Sequence, residues 1–158
     1  MTPDRPERKN PRLRGWDYGA GGTYFVTFCT SAHRPVLSSI RRGDPCGRPP
    51  LVLTPLGECV AEAIALTGVR VEHQVIMPNH VHLLLTLERA ATELGRLVGT
   101  VKSRSVHLAA GRGLEAGRLW QRGYYDHIVR SENDFLRIWT YIDNNPLRWE
   151  LDRYYTER

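Results

Sequence analysis

Met77-Pro78-Asn79-His80-Val81-His82-Leu83-Leu84-Leu85 joins two strand-like runs, Val69 to Met77 and His80 to Leu87, through a Pro-Asn pair with the chemistry of a turn. The two runs make a β-hairpin. Side chains alternate along a strand, so His80 and His82 share one face while Val81, Leu83 and Leu85 share the other. One face belongs to a core and the other presents two imidazoles. Neutral imidazole nitrogens at this spacing bind one divalent ion and leave coordination positions open for a phosphate oxygen and water. Two separately hydrogen-bonded histidines fit the same spacing.

Upstream, Thr23 to Thr30 alternates and is rich in aromatic and β-branched residues, a strand with Tyr24, Val26 and Phe28 on one face. Ser38 to Pro50 carries Arg-Arg-Gly-Asp-Pro-Cys-Gly-Arg-Pro-Pro, which reads as a surface loop, with the 41–50 stretch resembling an insertion. Thr54-Pro55 with Glu58 marks a helix start, and Val60, Ala63 and Ile64 give that helix an apolar stripe ending near Gly68. Downstream, Leu94, Leu97, Val98, Val101, Ser105 and Leu108 keep helical spacing, with Arg96, Lys102 and Arg104 on other faces. Gly95 and Gly99 weaken this basic helix.

Tyr124 to Arg130 forms a fourth strand, and Ser131 followed by Asp134 resembles a capping box. The helix that begins there buries Phe135, Ile138, Trp139 and Ile142 and stops before Pro146. Tyr141 and Asn145 are four residues apart and flank that stripe, so both sit at the edge of the core. Strand, helix, strand, strand, helix, strand, helix is the order of an α+β domain, with a ferredoxin-like antiparallel sheet and helices packed on one face.

A chain of 158 residues, 41% of them hydrophobic, suits one compact core. The expected division is a basic arm over 1–22, one domain over 23–150 and a tail over 151–158. No run approaches the roughly 18 to 20 apolar residues of a membrane span and no apolar leader opens the chain, so a cytoplasmic protein with no membrane partner is expected. Cys29, Cys46 and Cys59 lack the close pairing of a zinc or redox motif, which leaves reduced thiols, Cys29 among them as a small core residue. The net charge of +5 is segregated: residues 1–14 hold five basic against two acidic side chains, and residues 96–118 hold five against one. Such segregation favours an acidic partner such as nucleic acid, although an arginine-rich composition raises charge without one.

Arg-Leu-Arg-Gly-Trp-Asp-Tyr (12–18), Gly-Thr-Tyr-Phe-Val-Thr-Phe-Cys-Thr (22–30), Met-Pro-Asn-His-Val-His (77–82), Trp-Gln-Arg-Gly-Tyr-Tyr-Asp-His-Ile-Val-Arg (120–130) and Tyr-Ile-Asp-Asn-Asn-Pro (141–146) occur in this order. With these motifs nearly the whole chain resembles the REP-associated and related insertion-sequence single-tyrosine transposases of the His-hydrophobic-His nuclease superfamily. The resemblance implies that Tyr141 on a C-terminal catalytic helix is the nucleophile, that His80 and His82 ligate Mg²⁺ or Mn²⁺, and that Asn145 occupies the place of a third polar ligand. It also implies single-stranded or hairpin DNA as substrate, cut and rejoined through a 5′-phosphotyrosine, and allows a homodimer exchanging its tyrosine helix. Gly-Thr-Tyr-Phe departs from the Gly-Thr-Trp-Tyr of many REP-associated members.

Within that frame Lys102, Arg104, Arg122, Arg130 and the N-terminal Arg5, Arg8, Arg12 and Arg14 are expected to contact phosphates. His127 is expected to contact DNA or, as plainly, to satisfy a local hydrogen bond. Trp16, Trp120 and Trp149 stack on bases or pack in the fold. Tyr124 and Tyr125 are rival nucleophiles, of which a strand lets at most one face the site. A catalytically silent DNA-binding module, a relaxase-type initiator and a structural metalloprotein are the other readings, and the distance from Tyr141 to the histidines discriminates among them.

Overall fold

The computed structural model describes residues 15–41, 50–152, 154 and 155. Arg5, Arg8, Arg12, Arg14 and Cys46 lie outside the described residues, as do positions 42–49. The main sheet has four strands, β1 (Gly22–Cys29), β4 (Arg70–Ile76), β5 (His80–Leu87) and β6 (Tyr125–Ile128), in the order β4-β5-β1-β6. Each neighbouring pair is antiparallel.

The expected sheet and its helices are present, and two of the helices share one face. Tyr24, Val26 and Phe28 of β1 and Val81, Leu83 and Leu85 of β5 form a buried layer under α1 (Pro55–Ala65) and α2 (Leu94–Gly111). The C-terminal helix α3 (Glu132–Asn144) lies on the opposite face, where Ile138 and Ile142 close over Phe25 and Leu84. The sheet is thus covered on both sides, with the histidines on the α3 side.

Local chemistry places these elements. Thr54 Oγ1 accepts from Gly57 N and Pro55 opens α1, while Ser131 Oγ accepts from Asp134 N at the start of α3. The Asp134 carboxylate turns instead to His127 Nε2 at 2.7 Å and Arg137 Nη2 at 2.5 Å, so the box closes on one side only. The arginine contact first, then the histidine, holds the Asp134 carboxyl below its ordinary range.

Two elements differ from the sequence expectation. Ser38 to Pro50 is not loop throughout: β2 (Ser38–Ile40) pairs with β3 (Leu51–Leu53). Their β-compatible side chains sit at the ends of the Pro/Gly/Arg text, and Thr54 anchors the ribbon through Leu37. The register of β4 also slips between Val71 and His73. Glu72 is the extra residue of this bulge, which returns His73 to the α3 side of the sheet. There its ring stacks on Trp139 at 4.3 Å and its Nε2 bonds Asp143 at 2.8 Å, pinning the helix.

Candidate active site

The register of β1 on β5 sets Thr27 opposite His82 and Cys29 opposite His80. Both histidines are almost fully buried. Thr27 Oγ1 lies 2.6 Å from His82 Nδ1, and Asn79 Oδ1 lies 2.9 Å from His80 Nδ1. The Asn79 amide nitrogen faces the carbonyls of His33 and Tyr154, which fixes its oxygen toward His80. That oxygen only accepts, so the neutral His80 ring carries its proton on Nδ1 and turns the Nε2 lone pair toward His82.

The two Nε2 atoms converge to 3.1 Å. A Thr27 hydroxyl that donates to His82 leaves an imidazole-to-imidazole hydrogen bond between them. When the hydroxyl accepts instead, two lone pairs face each other, an arrangement that needs a cation between or beside them. Asp152 supplies an anion: its Oδ2 is 3.8 Å from His80 Nε2, and the ligand atoms of His80, His82 and Asp152 all lie within 4.8 Å of one another. Asn145 Oδ1 is buried without a hydrogen-bond partner among the described residues. Convergent nitrogens and a carboxylate fit a divalent ion, the set being mixed nitrogen and oxygen.

Tyr141 stands over this pair. Its ring meets His82 edge-on at 5.3 Å and Phe25 at 5.9 Å, and the residue stays 45% exposed. Within this chain α3 packs on its own sheet, which brings the Tyr141 ring to His82. Tyr125 faces the same side through its register with Thr27 but lies two strands from His82, roughly 10 Å across the sheet. Tyr124 packs against the opposite core.

The other expected contacts disperse. His127 is bound to Asp134, the local reading. Lys102 donates to the carbonyls of Gln121 and Gly123 and lies over Phe28, away from the histidines. Arg104 lines a cleft on α2, Arg122 is exposed in the loop before β6, and the Arg130 guanidinium sits 6.0 Å from the Trp16 ring. Trp120 packs on Phe28 and donates to Ser105, and Trp149 lies near His80, so neither stands out as a free stacking platform.

Three residues at the site were not singled out from the sequence. Thr27 was legible in principle as the alternate residue on the pairing strand. Asn79 read only as turn chemistry. Asp152 carried no signal, since its position depends on the short 3₁₀ turn Pro146–Leu151 folding the chain back over His80.

Residues 23–145 match the family model of IS200-like transposases, and the chain belongs to that family. A relative, an uncharacterized protein of Haemophilus influenzae, is 30% identical over 95% of this chain and 94% of its own length. Among solved structures, a REP-associated tyrosine transposase bound to a REP hairpin matches with a TM-score of 0.58 and 21% identity, covering 80% of this chain and 67% of that one. A candidate transposase of Deinococcus radiodurans matches at a TM-score of 0.50 and 21% identity, over 83% and 94% of the two chains. These two structures share the fold. No helix among the described residues is long and apolar enough to cross a membrane.

Proposed function

We propose that the protein cuts and rejoins single-stranded DNA next to a hairpin, with Tyr141 as nucleophile and His80 and His82 as ligands of Mg²⁺ or Mn²⁺. The observation that carries this reading is the half-exposed Tyr141 ring resting on His82 above a buried imidazole pair. Asp152 would supply an oxygen ligand beside them, and Asn145, whose buried Oδ1 lacks a partner among the described residues, is proposed as a further one.

The Tyr141 oxygen attacks phosphorus in line, forming the Tyr–O–P bond as the P–O3′ bond breaks. The phenol gives up its proton, and the departing oxygen leaves as a free 3′-hydroxyl. His80 and His82 would hold a divalent ion, whose charge would offset the negative charge that develops on the phosphate. Thr27 and Asn79 hold the two rings in place, while Phe25 and Ile142 seat the helix that presents the phenol. Because the phosphotyrosine retains the energy of the phosphodiester, a second 3′-hydroxyl reverses the step on another strand without ATP. Incubating the protein with labelled single-stranded DNA and Mn²⁺ tests the reading: a covalent adduct is expected, and none with Tyr141→Phe. An adduct of equal yield in Tyr141→Phe overturns it.

A further inference from the structure

We propose that His73 is a positioning residue for the Tyr141 nucleophile: with Trp139 and Asp143 it fixes the roll of α3, and so where the phenol stands over His82. The inference rests on the Tyr141 reading and adds to it what keeps that side chain in reach.

The latch is built on an irregularity of an edge strand. The bulge at Glu72 turns His73 to the α3 side, where its ring stacks on Trp139 with centroids 4.3 Å apart and planes 21° apart. Its Nε2–H donates to Asp143 Oδ1 at 2.8 Å, since an ionised carboxylate only accepts. The two side chains are 23% and 26% exposed, so the bond is partly shielded from competing water. Trp139 in turn meets Phe135 at 5.8 Å between ring centroids, which ties the latch to the apolar stripe of the helix.

Around the axis of α3, Trp139 and Asp143 lie about 40° apart, whereas Tyr141, midway between them in sequence, points roughly 160° from both. The buried Ile138 and Ile142 come between. The latch therefore grips one flank of the helix over β4, and the tyrosine projects from the other flank over β1 and β5. Apolar contacts of the stripe with Phe25 and Leu84 have no preferred direction, so they hold the helix down without fixing its roll. A hydrogen bond and a ring stack at one flank do fix it. A roll of about 10° carries an atom about 9 Å from the axis, roughly the reach of a phenolic oxygen, through about 1.5 Å. Displacement of a reacting group by about 1 Å is enough to cost about 100-fold in rate.

The test reads three quantities in His73→Ala and Asp143→Ala: the rate of adduct formation at saturating labelled single-stranded DNA and Mn²⁺, the DNA affinity by anisotropy, and the surroundings of Tyr141. The last comes from fluorine NMR of fluorotyrosine-labelled protein, the resonance being assigned by its loss in Tyr141→Phe. In both variants the saturating rate should fall by about tenfold or more while DNA affinity and the Mn²⁺ half-saturation point stay within about threefold of wild type. The Tyr141 resonance should shift or broaden without DNA present. His73→Gln keeps a donor near the place of Nε2 and should recover more of the rate than His73→Phe, which keeps only a ring on Trp139. If circular dichroism shows His73→Ala to be unfolded, Asp143→Ala carries the same comparison from the helix side. A saturating rate within about twofold of wild type, an unmoved Tyr141 resonance, or equal losses of rate and DNA affinity overturns the proposal. Should the wild-type protein form no adduct, the Tyr141 chemistry fails, while the fluorine resonance still decides whether His73 sets the position of that ring.

Discussion

At the scale of single residues, the proposed metal site consists of two imidazole Nε2 atoms whose partner nitrogens are already hydrogen-bonded. Each of His80 and His82 uses Nδ1 for a hydrogen bond and turns Nε2 to a common point. His80→Ala and His82→Ala are therefore expected to abolish strand cleavage while retaining most DNA affinity, which comes from cationic side chains elsewhere. Full Mn²⁺-dependent cleavage by either variant, measured on labelled oligonucleotide, removes the metal site. Thr27→Val keeps the shape of the side chain but deletes the hydroxyl that orients His82. Outer partners of this kind contribute about 10- to 100-fold to metal affinity, so a Mn²⁺ titration should show a loss in that range. A titration identical to wild type would mean that Thr27 only fills space. The histidine pair was legible because strand alternation fixes its geometry within three residues. Asp152 was not, because nothing in the local pattern says that a turn beyond Pro146 returns to the sheet.

At the scale of elements, the position of α3 decides whether the tyrosine reaches the histidines. Its apolar stripe was readable from helical periodicity, but which face it covers depends on Phe25 and Leu84, the alternate residues of strands whose other side is the main core. The bulge at Glu72 was illegible for a related reason: one extra residue interrupts alternation without any glycine or proline to announce it. The three-residue strands β2 and β3 were hidden by the Pro/Gly/Arg-rich text between them. The start of α3 also carries a pH dependence. Asp134 is held below its ordinary carboxyl range by Arg137 and then His127. A depressed folded-state pKa contributes stability that is fully present above the unfolded value of about 3.9 and is lost as pH falls through the lower folded value. Acidification below about pH 4 should loosen the first turn of α3, seen as faster amide exchange there, and Asp134→Asn should flatten that acid response. An unchanged response in Asp134→Asn would assign the acid sensitivity to other groups.

Across the whole molecule, one sheet has two differently covered faces. The side under α1 and α2 carries the larger core and the arginine cleft, and the side under α3 carries the histidines and the tyrosine. The first face depends on close seating of α1 against the chain leading from β1. A Cβ on Gly57 would come within 2.0 Å of the Leu37 carbonyl oxygen, a backbone atom with no side chain to move aside. Gly57→Ala should cost about 3 kcal/mol, the upper end of overpacking costs, and lower the melting midpoint by roughly 6 to 12 °C. A wild-type melting curve would show that α1 is free to shift. The order of elements and the antiparallel sheet were readable from strand and helix periods, and the motifs carried the resemblance to single-tyrosine transposases. The distribution of positive charge was only partly informative: Lys102 is spent on two backbone carbonyls, whereas Arg104 faces an open cleft.

Which oxygen attacks DNA decides the proposed chemistry, and peptide mapping of the covalent adduct measures that directly. Wild-type protein trapped on labelled single-stranded DNA with Mn²⁺ should yield label on the peptide containing Tyr141, and Tyr141→Phe should fold, bind DNA and yield none. Phenylalanine preserves the ring contacts with Phe25 and His82 and removes the phenolic oxygen. Label on the peptide containing Tyr124 and Tyr125, with Tyr141→Phe still forming adduct, would contradict the account and move the nucleophile to β6.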